Sequence, residues 1–160
     1  MTIRKLKKTE AAFLADMLYE AIFIPEGHDP LPREVIMHKS LYKYIENWGR
    51  DQFDIAMVVE MDNQLVGAIG GRLMTGENKG FGFVNDNTPE LSMAVKNDYR
   101  SKGIGTELIK AIESEYKKIG VYNLSLSVDK ANNASKLYKR LGFEIIKKTD
   151  TSWTMKKRIR

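Results

Sequence analysis

The stretch from Glu90 to Val128 constrains the fold most, because the spacing of its apolar residues changes twice. "ELSMAV" (Glu90–Val95) alternates apolar with small side chains, as a strand with one buried face does. After "DYRSKGIG" (Asp98–Gly105) the spacing becomes helical, with apolar residues at Ile104, Leu108, Ile112, Tyr116 and Ile119. "YNLSLSV" (Tyr122–Val128) alternates again. This stretch is therefore predicted to form a strand, a helix and a second strand, with two glycines and two cations at the first junction.

The other segments extend this alternation of element types over the chain. Helices are predicted from Glu10 and from Arg33 to Trp48, on either side of the proline-rich "FIPEGHDPLP". The remaining predicted elements are the strands Thr2–Leu6, Asp54–Met61, Leu65–Met74, Phe143–Lys148 and Ser152–Lys157 and the helix Asn132–Leu141, closed by Gly142. The order β-α-α-β-β-β-α-β-α-β-β predicts an α/β (α+β) fold, a mixed sheet with helices on its faces. With neither linker nor repeat, residues 1–160 are expected to form one domain.

The composition argues against several functional classes. The chain has no cysteine, which excludes disulfides, thiolate metal sites and a cysteine nucleophile and is typical of a reducing cytosol. His28 and His38 lack carboxylate partners at ligand spacing, so no metal site is predicted. The N-terminus lacks the apolar core of a signal peptide, and no apolar run approaches the ~20 residues of a membrane span. We therefore expect a cytoplasmic protein without a membrane partner.

The surface charge is only mildly basic. The net charge of +5 comes from cations scattered as single residues and short pairs, apart from "KKRIR" at the C-terminus. Such a surface favours anionic ligands in general. Because the chain has no aromatic–basic platform and no long basic stripe, no nucleic-acid partner is predicted.

The junction "DYRSKGIG" has two interpretations. A helix start leaves backbone N–H groups unpaired, and these, together with the helix dipole, favour an anion. Gly103 and Gly105 would let the backbone approach that anion, and Arg100 and Lys102 could contact phosphate oxygens. The alternative is a plain basic turn, since a lone Gly-x-Gly is common. The junction is neither a Walker loop nor the dinucleotide fingerprint, because the residues that complete those motifs are missing.

Two motifs in this order resemble the GNAT superfamily of N-acetyltransferases. The family's Arg/Gln-x-x-Gly-x-Gly/Ala falls on Arg100, Gly103 and Gly105. Its second motif, Asn-x-Ala-x-x-Leu-Tyr followed by Leu-Gly-Phe, falls on Asn132, Ala134, Leu137, Tyr138, Leu141, Gly142 and Phe143. The resemblance covers the chain from Pro89 to Glu144. It implies a mainly antiparallel sheet of six to seven strands flanked by about four helices, with a gap between two diverging strands.

The resemblance also implies acetyl-CoA as cosubstrate and places its contacts. The pantetheine arm would pair with the backbone at Met93 and Val95, and Asn132 would contact the cofactor, act as a helix N-cap, or both. The pyrophosphate would lie at the helix start, on Arg100, Ser101, Lys102, Gly103, Ile104, Gly105 and Thr106.

Direct transfer of acetyl to an amine requires a neutral amine, a stabilised oxyanion and a proton for the departing thiolate. The resemblance assigns the oxyanion to a backbone N–H near Val95 and the proton donor to Tyr138; the alternative for Tyr138 is a core residue. Glu90, at the start of the strand, is the candidate base, acting directly or through water; the alternative is a solvent-facing strand residue.

The acceptor is left open by the sequence. The aromatic-rich N-terminal third suggests Phe23, Glu26, Tyr44 and Trp48 as acceptor contacts, although such residues more often belong to a core. The leading hypothesis is an acetyl-CoA-dependent N-acetyltransferase acting on a primary amine, in a possible homodimer. The alternative is a non-catalytic acyl-CoA-binding sensor or scaffold module.

Overall fold

The computed structural model describes residues 1–160, and its framework is one seven-stranded sheet. In chain order the strands are β1 (Thr2–Lys5), β2 (Ile55–Met61), β3 (Gln64–Arg72), β4 (Glu90–Val95), β5 (Asn123–Asp129), β6 (Glu144–Lys148) and β7 (Ser152–Arg158). The helices are α1 (Ala11–Glu20), α2 (Lys39–Tyr42), α3 (Ile104–Lys118) and α4 (Ala134–Arg140). The predicted order of strands and helices is confirmed.

The sheet is mixed but mainly antiparallel, as the resemblance implied. Its strand order is β1-β2-β3-β4-β5-β7-β6, and every neighbouring pair is antiparallel except β4 and β5. The crossover from β4 through α3 to β5 makes these two strands parallel neighbours at the centre of the sheet. The functional motifs of the sequence therefore lie at the one parallel junction.

Two hydrophobic layers cover the sheet. On one side, α3 and α4 pack on a core that includes Leu91, Leu108, Leu124 and Met155; we call this the α3 face. On the other side, α1 packs on small residues of the central strands, namely Ala56, Val58, Ala68 and Ala94; we call this the α1 face. Because side chains alternate along a strand, Glu90 and Ser92 of β4 share the α1 face with Ala94. The two faces of β4 thus serve different halves of the molecule.

The predicted helix from Arg33 to Trp48 is wrong as a continuous element. A 3-10 helix covers Arg33–Met37, His38 is extended, and α2 has a single turn before irregular backbone with positive φ at Asn47 and Gly49. His38 caps α2, because its Nδ1 accepts the N–H of Ser40 at 3.2 Å. Downstream, the Arg72 guanidinium donates to the carbonyls of Lys43 and Glu46 at 2.8 and 2.7 Å. These carbonyls are thus tied to β3, which no local spacing could predict.

None of the helices combines the length and the apolar composition needed to cross a bilayer.

Candidate active site

The sheet opens between β4 and β5 just after their amino-terminal ends. The two strands pair only at Glu90–Ser125 and Leu91–Leu126. Beyond Leu91, β4 keeps its partner β3 as far as Val95, opposite Gly67, but has none on β5. The strands therefore enclose a gap, the β4–β5 gap, of the kind that the resemblance implied.

The backbone of β4 directs polar groups toward this gap. Lys96 donates its N–H to Val66 of β3, whereas Pro89 accepts from Ser125 of β5. Since peptide groups alternate in direction along a strand, the N–H and C=O groups of Met93 and Val95 point toward the gap. The carbonyl of Val95 accepts from Arg100 Nε at 2.9 Å. The gap is thus lined by backbone donors and acceptors that could pair with an extended ligand.

The start of α3 closes one end of the gap with unpaired N–H groups. The first helical hydrogen bond runs from Glu107 N–H to the Gly103 carbonyl, and no backbone or side-chain group accepts from Ile104, Gly105 or Thr106. Gly103 is the N-cap at φ +81°, and Ser101 is also left-handed at φ +62°. This turn directs consecutive N–H groups to the same place, where the helix dipole favours an anion.

Gly103 and Gly105 are needed for different reasons. A Cβ at Gly103 would meet nothing within 4 Å, so its requirement is conformational. At Gly105 an added Cβ would lie 3.0 Å from Leu137 Cδ2 and 3.2 Å from Met93 Cε. Gly105 therefore lets the first turn of α3 pack closely against α4 and β4.

The two cations of the turn are exposed and already have partners. Besides donating to Val95, the Arg100 guanidinium lies 3.7 Å from the Glu20 carboxylate of α1. Lys102 Nζ lies 5.4 Å from the centre of the Tyr99 ring. Arg100 thus braces the end of β4, and its exposed guanidinium edge remains available to a ligand.

Tyr138 lies in the core beside the gap. It is buried on α4, edge-on to Phe143 with ring centres 5.9 Å apart, and neighbours Leu137, which touches the start of α3. Burial raises the pKa of Tyr138 to about 12. Its hydroxyl makes no hydrogen bond within the chain and is not among the sealed polar atoms, so the oxygen reaches the surface although the ring is buried.

The ends of α4 fix the position of Tyr138. The N-cap of α4 is Asn133, so the predicted N-cap at Asn132 is off by one residue. Asn132 still binds the start of the helix, because its Oδ1 accepts the N–H of Ala134 at 2.9 Å. At the other end Gly142 has φ +99° and the N–H of Phe143 donates to the Tyr138 carbonyl at 2.9 Å. This 6→1 bond with a left-handed glycine is a Schellman motif, so the predicted C′ role of Gly142 is confirmed.

Glu90 is buried on the α1 face where β4 and β5 begin to part. Its side chain accepts a hydrogen bond from the Tyr44 hydroxyl at Oε2, while Oε1 has no hydrogen-bond partner. Burial raises the pKa of Glu90 to about 7, and the Tyr44 hydroxyl and the nearby Gly82 N–H offset part of this rise. A carboxylate with a pKa near neutrality and a free oxygen is equipped to take up a proton.

A small cleft on the α1 face adjoins the gap. It is lined mainly by apolar side chains of α1, the segment after α2 and the central strands, including Met17, Ile45 and Ala68. Tyr44 and Trp48, two of the four predicted acceptor residues, line it; Phe23 and Glu26 lie in the loop after α1 and do not. The cleft reaches Ser92 and Met93, beyond the last β4–β5 pair.

Sequence reasoning did not identify the ion pair that shapes this cleft. Arg72 and Asp54 are buried and bonded at 2.5 Å, and the guanidinium lies 4.9 Å from the centre of the Trp48 ring. The signal was a lone arginine ending the apolar run "LVGAIGGR", since a buried charge requires a partner. Its partners come from two separate segments, Asp54 and residues 43–48, and the sequence does not reveal that they meet.

Comparison with known proteins agrees with this architecture. The chain can be superposed on the N-acetyltransferase of Thermoplasma acidophilum in complex with coenzyme A with a TM-score of 0.70 and 21% identity, over 98% of both chains. For the ribosomal-protein-alanine N-acetyltransferase of Brucella melitensis the TM-score is 0.71 and the identity 22%, over 99% of both chains. These likenesses show the shared fold.

A curated relative and a family profile match the sequence itself. An L-methionine sulfoximine/L-methionine sulfone acetyltransferase of Pseudomonas paraeruginosa is 37% identical over 59 residues, which make up 36% of this chain and 34% of the relative. The match therefore spans only about a third of the curated relative. The profile of the acetyltransferase (GNAT) family matches residues 18–143, most of the chain. The chain therefore belongs to the acetyltransferase (GNAT) family.

Proposed function

We propose that this protein transfers the acetyl group of acetyl-CoA directly to a primary amine of a small-molecule or peptide acceptor. The observation that carries the proposal is the arrangement around the β4–β5 gap. Free backbone N–H groups lie at its α3 end, a buried phenol lies on its α3 face, and a buried carboxylate lies on its α1 face. Amine acetylation needs anion binding, a donor for sulfur and a proton acceptor, and the arrangement supports one of each.

The residues beside the gap fit acetyl-CoA, which supplies the activated acetyl group when bound. The N–H groups at Gly103–Thr106 are suited to the pyrophosphate, with Ser101 holding the turn in shape and the exposed charges of Arg100 and Lys102 assisting. Met93 and Val95 offer a strand edge to the pantetheine amides. The side-chain oxygen of Asn132 already accepts the N–H of Ala134, so the side-chain NH₂ group of Asn132 is left for a cofactor contact.

Tyr138 is proposed as the donor to sulfur. Because burial raises its pKa to about 12, the phenol stays protonated throughout the neutral and mildly alkaline range. An ordinary thiol has a pKa of about 8.5, so the phenol acts mainly by hydrogen bonding to the developing thiolate and stabilising its charge. The free hydroxyl of Tyr138 supports this role over that of a plain core residue.

Glu90 is proposed as the base that keeps the acceptor amine neutral. Three residues separate it from Met93, or about 10 Å along the strand, so the proton is expected to pass through water or along the acceptor cleft. An amine of ordinary pKa arrives as an ammonium ion and must lose a proton before it attacks. A carboxylate that titrates near neutrality is matched to this step.

The cleft on the α1 face has a volume of about 20 Å³, which is room for an amino group rather than for a whole acceptor. Its lining is apolar apart from Ser92, the hydroxyl of Tyr44 and the indole N–H of Trp48, and it offers no cation for an acidic acceptor. The name of the Pseudomonas relative, a methionine sulfoximine and sulfone acetyltransferase, agrees with an amino-acid amine.

A thiol-release screen tests the proposal. Purified protein is incubated with acetyl-CoA and a panel comprising methionine and its sulfone, other amino acids, polyamines, aminoglycosides and peptides with free N-termini. We expect thiol release that depends on protein and acceptor, highest for apolar amino-acid amines, with the acetylated amine identified by mass spectrometry. Tight CoA binding without release across the whole panel would contradict transferase activity and favour the sensor or scaffold alternative.

A further inference from the structure

A glycine-containing loop covers the α1 face where β4 and β5 part. We call residues 79–84 the covering loop. A Cβ added at Gly82 would lie 2.6 Å from the Leu126 carbonyl carbon and 2.8 Å from Ser127 N, so the loop rests directly on the backbone of β5. The Ser125 hydroxyl donates to the Gly82 carbonyl at 2.8 Å and secures this contact. The covering loop therefore lies over the closed end of the gap.

The same loop buries Glu90. A Cβ at Gly80 would overlap Glu90 Oε1 and lie 2.9 Å from its Cδ, so only a glycine leaves room for the carboxylate here. Beneath the loop Glu90 is 4% exposed, with Oε1 unpaired. An ionisable group sealed in this way without a full set of partners is costly, and the covering loop determines its access to solvent.

Tyr44 connects the carboxylate to the loop. Its hydroxyl donates to Glu90 Oε2 and accepts the N–H of Phe81 at 2.9 Å. Its ring stacks on that of Phe81 with centres 6.4 Å apart and planes 15° from parallel. Lys43 Nζ donates to the Lys79 carbonyl and lies 5.5 Å from the centre of the Phe81 ring. One hydroxyl thus joins the base, the covering loop and the segment that lines the acceptor cleft.

We propose that Tyr44 is the positioning residue for Glu90: it holds the carboxylate by Oε2 and ties down the covering loop, and Oε1 takes the proton when the loop moves aside. This inference rests on the proposed role of Glu90 as base. A purely structural tyrosine needs no ionisable partner; Tyr116, 0% exposed against 9% for Tyr44, donates to the Phe53 backbone carbonyl at 2.7 Å. Tyr44 instead donates to a carboxylate, and no other group lies within hydrogen-bond geometry of Oε1.

The direction in which Tyr44→Phe changes the pKa of Glu90 follows from the groups around the carboxylate. Burial raises its pKa to about 7, and the Tyr44 hydroxyl, the Gly82 N–H and the charge of Lys43 lower it. From the neighbouring strands, Arg72 is paired with Asp54, and Ser125 donates to Gly82. Since the Tyr44 hydrogen bond stabilises the charged form, Tyr44→Phe raises the pKa of Glu90 further. A base that must be ionised then works only at higher pH.

The test compares Tyr44→Phe with the matched control Tyr116→Phe, which loses a buried phenol hydrogen bond outside the site. Glutamate δ-carbons are followed by ¹³C NMR as the pH is changed, and the Glu90 signal is assigned by its absence in Glu90→Gln. We expect the Glu90 midpoint to rise by at least about half a pH unit in Tyr44→Phe and to stay in place in Tyr116→Phe. Equal midpoints in the wild type and Tyr44→Phe would overturn the inference.

Kinetic measurements distinguish the role of Tyr44 from the proposed role of Glu90 as base. With the best amine of the screen, the acid limb of kcat/KM is expected to shift to higher pH in Tyr44→Phe and to disappear in Glu90→Gln. Full activity of Glu90→Gln at every pH would refute the base itself, whatever Tyr44 does. Loss of activity in Glu90→Gln with an unshifted limb in Tyr44→Phe would refute only the role of Tyr44.

A second variant keeps the test informative if Tyr44→Phe folds poorly. Gly80→Ala leaves Tyr44 intact and places a methyl group against Glu90 Oε1. We expect kcat to fall at least about tenfold, the lower end of what a displaced acid–base group costs, with an unchanged dissociation constant for CoA. Wild-type kcat in a folded Gly80→Ala protein would show that Oε1 takes no part.

Discussion

The two glycines at the start of α3 show how one motif contains two separate physical requirements. Gly103 is there for its left-handed backbone, since the space beside it is open. Gly105 is there for the close approach of Leu137 and Met93. In the sequence motif both positions are simply glycine, so the two requirements cannot be told apart. The first requirement concerns the direction of N–H groups and therefore ligand binding, whereas the second concerns packing.

Gly103→Ala is expected to weaken CoA binding at least tenfold. A side chain at φ +81° costs about 1 kcal/mol and drives the turn toward another conformation, which redirects the N–H groups. The control is Gly120→Ala, at the other end of α3, where φ is also +81° and a Cβ would also meet nothing. Both variants should lose similar stability in urea, but only Gly103→Ala should lose affinity for CoA by calorimetry. A parallel loss in both would contradict the anion site.

Tyr138→Phe is expected to lower kcat by about 10² or more while changing the dissociation constant of acetyl-CoA less than about threefold. The phenylalanine ring keeps the edge contact with Phe143 and the buried area, so the fold should persist. Only the donor to sulfur is lost. Steady-state kinetics with the best acceptor, together with direct titration of CoA, measure the two effects separately. An unchanged kcat would mean that Tyr138 is a core residue without a role in acetyl transfer.

Among the elements, the segment after α2 shows why local pattern gave a wrong helix. Its apolar spacing from Arg33 to Trp48 fits a helix, yet its carbonyls bond to Arg72, and Gly49 and Arg50 donate to Asp54. By contrast β4 was predicted with its observed bounds, Glu90–Val95, because its alternation is enforced by a different layer on each face. In the segment after α2, tertiary hydrogen bonds overrode the local helix pattern. In β4, tertiary packing agreed with the local strand pattern.

Arg72→Met is expected to destabilise the protein by about 3–5 kcal/mol, because it leaves the buried charge of Asp54 without a counter-charge, with only the N–H groups of Gly49 and Arg50 to stabilise it. The pair is almost fully buried, at 1% and 0% side-chain exposure, and the segment carrying Tyr44 and Trp48 depends on it. The control is Arg33→Met, whose partner Asp16 and own side chain are about half exposed, so the loss should stay below about 1 kcal/mol. Urea unfolding of both variants checks this. Similar losses would mean that the buried pair does not hold the segment.

At the scale of the whole molecule, the sequence predicted the order of elements, whereas the cofactor contacts stay a prediction. It could not predict the environment of Glu90, because the groups involved come from four places: β4, the segment after α2, the covering loop and β5. Their meeting depends on a fold in which β4 and β5 diverge. The sequence offered Glu90 and Tyr44 as separate candidates, and only the assembled chain joins them through one hydrogen bond.

The same buried carboxylate should make the stability of the whole protein depend on pH. Burial raises the pKa of Glu90 from 4.5 to about 7, so between these values the folded state binds a proton that the unfolded state has released. Stability therefore falls as the pH rises through this window, by about 2–3 kcal/mol between pH 5 and pH 8 from this group. Glu10 acts in the opposite sense and at lower pH, since its hydrogen bond with Arg4 lowers its pKa to about 2.

Glu90→Gln isolates this contribution, because an amide does not titrate and keeps its place beside Tyr44. We expect the free energy of unfolding of the variant, relative to the wild type, to increase by about 2–3 kcal/mol from pH 5 to pH 8. Urea unfolding at pH 5, 6, 7 and 8 measures the difference, and titrations shared by both proteins cancel in it. A difference that stays constant with pH would mean that Glu90 has an ordinary pKa. In that case another group would have to account for any acid limb near pH 7 in the kinetics. The stability profile thus reports, without any acceptor, on the protonation that the proposed chemistry requires.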